Sequence, residues 1–279
     1  MAESPYKKRL DQFVWSFSRL NSYGNCPKEW KEHYIDELPS EGNCFAEFGS
    51  CCHSLYEDYA KGNLAEYEMG EEFDRRYPEY LKHDFPAFHD NAMAKDYYLR
   101  GSVAFWSFQG FPENWEIIAV EQRCDVKIFD RRFLGFIDLL VRNKDTGKLI
   151  VVDHKSKKKF YTQNELQHYA IQPYLYSKWV YETYGEYPEK LIFNLFKSGE
   201  MVEIPFDQNE YEAACLWVKE TIAEIYKDQS FKDKIQIEYR KKHKLLRDFK
   251  HSDFYCNYLC GSRKRCKRSI AYEKECDKT

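Results

Sequence analysis

Between residues 16 and 37 apolar side chains recur at helical spacing, with Phe17, Leu20, Tyr23, Trp30 and Tyr34 on the repeating positions and Ser16 or Ser18 available as an N-cap. Gly24 and Pro27 interrupt that run around Cys26, so the pattern predicts a helix broken there. A second helix is expected over 50–61, and the charged, aromatic stretch 63–100, which lacks a clean period, reads as helical insertion. From Trp115 the character changes to short apolar runs separated by turn signals: Trp115 to Val120, Asp125 to Phe129, Phe133 to Val141 and Leu149 to Val152. The segment Asn143-Lys144-Asp145-Thr146-Gly147 predicts a hairpin connection, because Asp and Gly tolerate the dihedrals of a tight turn. A long helix over about 164–183 should end near Gly185. Strands near 190–197 and 200–204 flank Ser198-Gly199, and a helix over about 208–228 follows. Helices, a β-meander, a crossover helix, further strands and a closing helix predict an α/β fold with a mixed central sheet flanked by helices.

Composition narrows the class. With 279 residues, 43% hydrophobic and 18% aromatic, the chain has enough apolar side chain for a substantial core and is not disordered. A net charge of -3 decides nothing about nucleic acid, so the distribution of charge matters more. The first residues lack the apolar core of a signal peptide, and no run approaches the ~20 apolar residues of a membrane span. A soluble, cytoplasmic protein with no membrane partner is the expectation.

Asp138 lies inside Leu134-Gly135-Phe136-Ile137-Asp138-Leu139-Leu140-Val141, an otherwise apolar strand, where an unpaired carboxylate is costly and calls for a metal or an ammonium. The next strand runs into Asp153-His154-Lys155, and strand alternation puts Asp153 and Lys155 on one face with His154 turned away. A hairpin between the two strands brings Asp138 close to Asp153. Two carboxylates beside one lysine suit metal-assisted phosphodiester hydrolysis: the carboxylates hold a divalent cation that acidifies water, and the lysine steers that water or neutralises developing charge. A lone D-x-K is common at strand ends as a simple ion pair. The buried-type Asp138 on the preceding strand is what favours chemistry.

Gly135-Phe136-Ile137-Asp138 followed by Val151-Val152-Asp153-His154-Lys155 resembles the core signature of RecB-like PD-(D/E)xK nucleases. Phe48-Gly49-Ser50-Cys51-Cys52-His53 resembles the family's helical G-x-x-x-H motif, and Gln172-Pro173-Tyr174-Leu175-Tyr176 its Q-x-x-x-Y motif, with Gln167 as a competing register. The resemblance spans roughly residues 16–270. It implies a restriction-endonuclease-like core, with an N-terminal helical segment and a C-terminal cluster-binding tail. It also implies one nuclease domain over 1–279, with helices over residues 1–110, a core over 111–230 and a basic, cysteine-rich region over 231–279 packing back on the N-terminal helices. His53, Asp138 and Asp153 are implied as ligands of Mn2+ or Mg2+, joined by the main-chain carbonyl of His154. Lys155 would assist the nucleophile, and Gln172 with Tyr176 would border the DNA backbone. Each has a duller reading, His53 as a core histidine and Gln172 with Tyr176 as helix-surface residues, and only their order around the acids lifts them. An imidazole ligand would favour Mn2+, since Mg2+ prefers an all-oxygen shell.

The chain holds ten cysteines, unusual for a reducing compartment, and Cys256, Cys260 and Cys266 fall close together. Three thiolates need a fourth ligand for a [4Fe–4S] cluster or an all-cysteine zinc site, and Cys26 in Ser22-Tyr23-Gly24-Asn25-Cys26-Pro27 supplies it by resemblance to the cluster-binding branch of the same family. That branch usually has two residues between the first two C-terminal cysteines. Here there are three, which keeps zinc as the alternative occupant, and Cys276 could replace one ligand. The remaining cysteines read as buried thiols.

Basic residues form runs at Lys157, Lys158 and Lys159, then at Arg240, Lys241, Lys242, Lys244, Arg247 and Lys250, and again at Arg263, Lys264, Arg265, Lys267 and Arg268. A charge run is ordinarily a solvated face. The first adjoins the proposed site, so Lys157 and Lys158 are candidate phosphate contacts, with interleaved aromatics able to stack on single-strand bases. The functional expectation is a metal-dependent, single-strand or end-directed DNA exonuclease in repair, recombination or phage DNA metabolism, with a helicase or recombination partner. A CRISPR-adaptation-type endonuclease and a non-catalytic DNA-binding subunit are the alternatives.

Overall fold

The computed structural model describes residues 4–87, 91–242 and 253–276. Lys244, Arg247 and Lys250 lie outside the described residues, as do the side chains of Arg240, Lys241 and Lys242. Backbone contacts divide the chain into two compact units, Met1–Asn43 with Val218–Thr279, and Cys44–Trp217. No described helix is long and apolar enough to cross a membrane.

In the first unit, helices α1 (Lys7–Leu10), α2 (Phe17–Asn25) and α3 (Pro27–Tyr34) open the chain. Ser16 starts α2 by accepting from Arg19 N at 3.1 Å, satisfying a donor that the first turn leaves free. Pro27 starts α3, where its missing N–H costs nothing, and Cys26 forms the extended joint between the two helices. The fully buried Trp30 centres this unit, stacked on Phe231 at 3° and 5.8 Å and donating its indole N–H to Arg19 O at 2.8 Å.

The second unit begins with α4 (Cys44–Ala60), which starts earlier than its apolar spacing suggests, and the insertion resolves into α5 (Met69–Tyr80) and α6 (Ala92–Trp106). Phe48, Leu55, Phe73 and Phe105 bury against one another across these three helices. Then follow β1 (Trp115–Ile128), β2 (Arg131–Asn143), β3 (Leu149–Lys155), α7 (Gln163–Tyr184), β4 (Lys190–Leu195), β5 (Glu200–Pro205) and α8 (Gln208–Lys227), with the unit boundary falling inside α8. After it come α9 (Lys234–Lys242) and α10 (Ile270–Cys276) in the first unit. The five described strands form one sheet in the order β1-β2-β3-β4-β5, with β3 and β4 parallel and the other pairs antiparallel. This is a mixed sheet flanked by helices, a restriction-endonuclease-like α/β core. A parallel pair needs a crossover, and α7 provides it, capped by Thr162 at its start and by Gly185 at φ 77 at its end. The two runs expected at 115–120 and 125–129 are a single strand, with a register irregularity between Ile117 and Ala119.

Gly135 in β2 is a position where a side chain has no room, because a Cβ there would lie 2.0 Å from Tyr176 Cε1. Tyr176 is itself buried, so its ring cannot simply swing away. Gly135→Ala should therefore cost about 1–3 kcal/mol through overpacking. Gly24→Ala, in α2 where a Cβ meets nothing within 4 Å, should be neutral or gain up to about 1 kcal/mol. Urea midpoints of the two variants against the parent protein make the comparison. Equal stability of all three would show that Tyr176 does not need the vacancy at Gly135.

Candidate active site

The hairpin registers put three carboxylates in one cross-strand row. Val120 and Gln122 pair with Leu139 and Ile137, which brackets Glu121 against Asp138, and Leu139 pairs with Val152, which sets Asp138 beside Asp153. Asp138 Oδ2 accepts a hydrogen bond from His154 N at 2.7 Å and lies 3.5 Å from His53 Nδ1. Ligand atoms of His53, Glu121 and Asp138 all come within 4.8 Å of one another, a spacing that suits one cation. Asp153 falls outside that tight group and turns to Lys155, with Oδ2 2.7 Å from Nζ. That contact is ionic in distance, yet Oδ2 has no partner of hydrogen-bond geometry, so a buried oxygen keeps spare accepting capacity. Lys155 Nζ donates to Gln172 Oε1 at 3.1 Å, and Gln172 Nε2 donates to Tyr176 OH at 3.1 Å. Gln172 rather than Gln167 thus meets the lysine, while Gln167 lines a small hollow with His168 and Ile171.

Burial sets the electrostatics. It drives Asp138 up to about 8, reinforced by the Asp153 charge and opposed by Lys155 and the His154 N–H. Glu121 is pushed up by burial and then by Asp138. Burial pulls His53 down, so its imidazole is neutral with a lone pair to offer. For Lys155 burial works against the charge, but Asp153 and Asp138 outweigh it and the ammonium is held above its ordinary value. Two carboxyls that resist ionising and one neutral imidazole make a nitrogen-and-oxygen donor set that fits a divalent cation.

His154 points the other way. Its ring stacks on Tyr56 at 4.5 Å and 14°, and its Nδ1 bonds Asn194 Nδ2 at 3.0 Å. Burial holds it far below its ordinary value, so it stays neutral. Among the expected phosphate contacts, Lys157 is engaged by Glu165 at 2.7 Å and lies over the Tyr169 ring, whereas Lys158 is exposed. Glu121 is a site residue that sequence reasoning misses. The polar run Glu121-Gln122-Arg123 reads as a turn in sequence, and only the pairing of β1 with β2 brings Glu121 to Asp138. Its φ of 49 is a left-handed conformation that a non-glycine residue adopts at a cost of about 1–3 kcal/mol, and such strain gathers at functional sites.

In the first unit, Cys26, Cys256, Cys260 and Cys266 are all buried and free of disulfides. Cys26 is raised to about 11 by burial and feels the charge of Cys266, while Cys256 and Cys260 are raised by burial and each feels Cys26. A π-helical turn at Tyr255–Leu259 presents Cys256, and Ser262 N donates to Cys260 Sγ at 3.4 Å. Glu29 of α3 ties the segment down by accepting from Tyr255 OH and Gly261 N. These thiols feel one another's charge and so share a neighbourhood, yet among the described residues no three of them converge within 4.8 Å as the ligand atoms of His53, Glu121 and Asp138 do.

No curated protein matches the sequence. A solved structure titled "Crystal structure of SSO0001" matches at 18% identity, over 78% of this chain and 83% of that chain, with a TM-score of 0.35. Residues 14–267 match the family described as the PD-(D/E)XK nuclease superfamily, a range that includes the cross-strand acids and Lys155. The chain belongs to the PD-(D/E)XK nuclease superfamily.

Proposed function

We propose that this metal-dependent nuclease hydrolyses DNA phosphodiester bonds as an exonuclease on single strands or strand ends, in repair, recombination or phage DNA metabolism. The observation that carries the reading is Lys155 Nζ, fixed by Asp153 and Gln172 beside the His53, Glu121 and Asp138 group. A divalent ion bound there supplies Lewis-acid stabilisation of phosphate charge and acidifies water. His53, Glu121 and Asp138 would hold the ion, with Asp153 and the His154 carbonyl as further candidate ligands, and the imidazole would make Mn2+ a better fit than Mg2+. Lys155 keeps its charge where negative charge builds on the phosphate, an electrostatic role that needs no rearrangement. Gln172 aims the amine, Tyr176 anchors Gln172, and Lys158 contacts the backbone of the strand. A helicase or recombination partner would separate strands for it.

The same reading assigns Cys26, Cys256, Cys260 and Cys266 to a structural [4Fe–4S] cluster, with zinc as the alternative. Joining residue 26 to residues 256–266 closes a loop of more than two hundred residues. By analogy with disulfides such closure is worth on the order of 5 kcal/mol.

Lys155→Ala should slow cleavage of a labelled single strand by about 10²–10³-fold. DNA affinity should change little, because one charge among many adds little to phosphate binding. Near-parental cleavage by Lys155→Ala would falsify the catalytic role, and a parent protein that binds but never cuts would point to the non-catalytic subunit.

Metal binding should release a proton. Asp138, at about 8 without metal, carries its proton at pH 7 and must lose it to ligate. Apparent affinity should therefore rise about tenfold per pH unit up to pH 8 and then level off. Calorimetry in buffers of different ionisation enthalpy counts the protons, and Asp138→Asn should bring the count near zero. His53→Ala should weaken Mn2+ more than Mg2+ in the same titration. Buffer-independent heats would remove Asp138 from the ligand set.

Cys260→Ala should abolish the brown absorbance of anaerobically purified protein and lower its melting temperature, whereas Cys215→Ala should do neither. Zinc without iron in the parent protein would transfer the site to the alternative metal.

A further inference from the structure

We infer that the hollow between α6 and the β4–β5 turn is a pocket for one nucleotide of a single DNA strand, its base against an apolar wall and its phosphates on Lys158 and Lys197. The inference rests on the nuclease reading above and adds where the strand is gripped. The hollow has a volume of about 570 Å3, within the range of about 300–1,000 Å3 typical of small-ligand pockets.

Its chemistry is divided. Leu99, Val103 and Phe108 line one side, and Leu99 and Val103 are 61% and 58% exposed, apolar side chains that their own unit leaves uncovered. Arg100, Lys158 and Lys197 supply the charge. The lining carboxylate, Asp96, is already taken by Arg100 at 2.8 Å. Neither Lys158 nor Lys197 has a carboxylate within ion-pair distance among the described residues. Lys197 instead rests over the Tyr97 ring at 3.3 Å, and burial draws its amine down to about 8, so it is still charged at neutral pH while poorly solvated. With Arg100, Lys158 and Lys197 set against the lining carboxylate Asp96, whose charge Lys197 also feels, the hollow keeps a positive excess beside a bare apolar wall and matches a chain of phosphates carrying exposed bases. A duplex keeps its bases stacked inside and has nothing to offer the wall.

The position fits the same occupant. Asn194 and Tyr56 line the hollow, and both hold the ring of His154, the residue between Asp153 and Lys155. Lys158 lies three positions beyond Lys155 on the same run of chain. The hollow therefore adjoins β3 on the side of His154, facing away from Asp153 and Lys155, and Lys158 links it along the chain to Lys155.

The test titrates the full chain, without divalent metal, onto a fluorescein-labelled oligothymidylate of about twelve nucleotides and onto a duplex of the same length, at several salt concentrations, by fluorescence anisotropy. In the double variant Lys158→Gln, Lys197→Gln, single-strand affinity should fall about tenfold and the slope of log affinity against log salt should shrink by about 1.4, since each single-strand phosphate contact contributes about 0.7. Duplex affinity should hardly move. Leu99→Glu, on the exposed wall, should reproduce the single-strand loss at an unchanged melting temperature. Unchanged single-strand binding in both variants, an equal loss on the duplex, or no single-strand binding by the parent protein overturns the pocket. Cleavage of the same oligonucleotide by the parent protein with Mn2+ is a separate arm. Its absence overturns the nuclease reading, whereas cleavage together with unaffected variants overturns the pocket alone.

Discussion

Like charges set side by side across a sheet cannot all ionise in a dry place, and that constraint shapes everything around β2. The register of β1 against β2 and of β2 against β3 lines up Glu121, Asp138 and Asp153. Side chains directly across a strand pair are only about 4.5–5.5 Å apart at Cβ, so the row is imposed by backbone pairing, and no side-chain choice can relax it. The protein answers partly with Lys155, whose ammonium the acids hold in its charged form, and with the His154 N–H directed at Asp138. These leave Asp138 still raised to about 8 and Glu121 still raised. The deficit is what a divalent cation would fill.

Holding that row in place takes support from both sides. On one side Gly135 leaves a vacancy into which Tyr176 fits, Tyr176 meets Gln172, and Gln172 meets Lys155. The lysine is thus aimed by a chain of contacts that begins with an absent Cβ. On the other side Tyr56 and Asn194 clamp the His154 ring, which fixes the strand between Asp153 and Lys155. The left-handed backbone at Glu121 belongs to the same pattern, since strain of that kind persists only where neighbouring structure over-determines it.

Much of this is legible in the chain itself. Strand alternation separates Asp153 and Lys155 from His154, and the contacts of those three residues follow it. Helix punctuation is equally clear, with Ser16, Pro27 and Gly185 standing at helix ends. Glu121 is not legible, because three consecutive polar residues look like a turn and their strand character comes from pairing with β2. Residues 63–100 are expected to be helical, and the structure divides them into α5, whose Met69, Phe73, Tyr77 and Tyr80 share one core-facing stripe, and α6. Adjacent lysines are likewise indistinguishable in sequence, and only tertiary contact gives Lys157 to Glu165 and leaves Lys158 to solvent.

The thiols of the first unit obey the same physics with different donors. Burial raises Cys26, Cys256 and Cys260 away from the thiolate form, just as it raises Asp138 away from the carboxylate, so in both places a cation would reverse an unfavourable protonation. Softness then separates the two. Thiolates select iron–sulfur clusters or zinc, while carboxylates with a single imidazole suit Mn2+ or Mg2+. Each group of donors lies within one compact unit, the thiols in the first and the acids in the second. An iron–sulfur cluster would find no thiolate among the acids, whereas zinc accepts imidazole and carboxylate as readily as sulfur, so the identity of the metal at the thiols would decide whether the two donor sets compete.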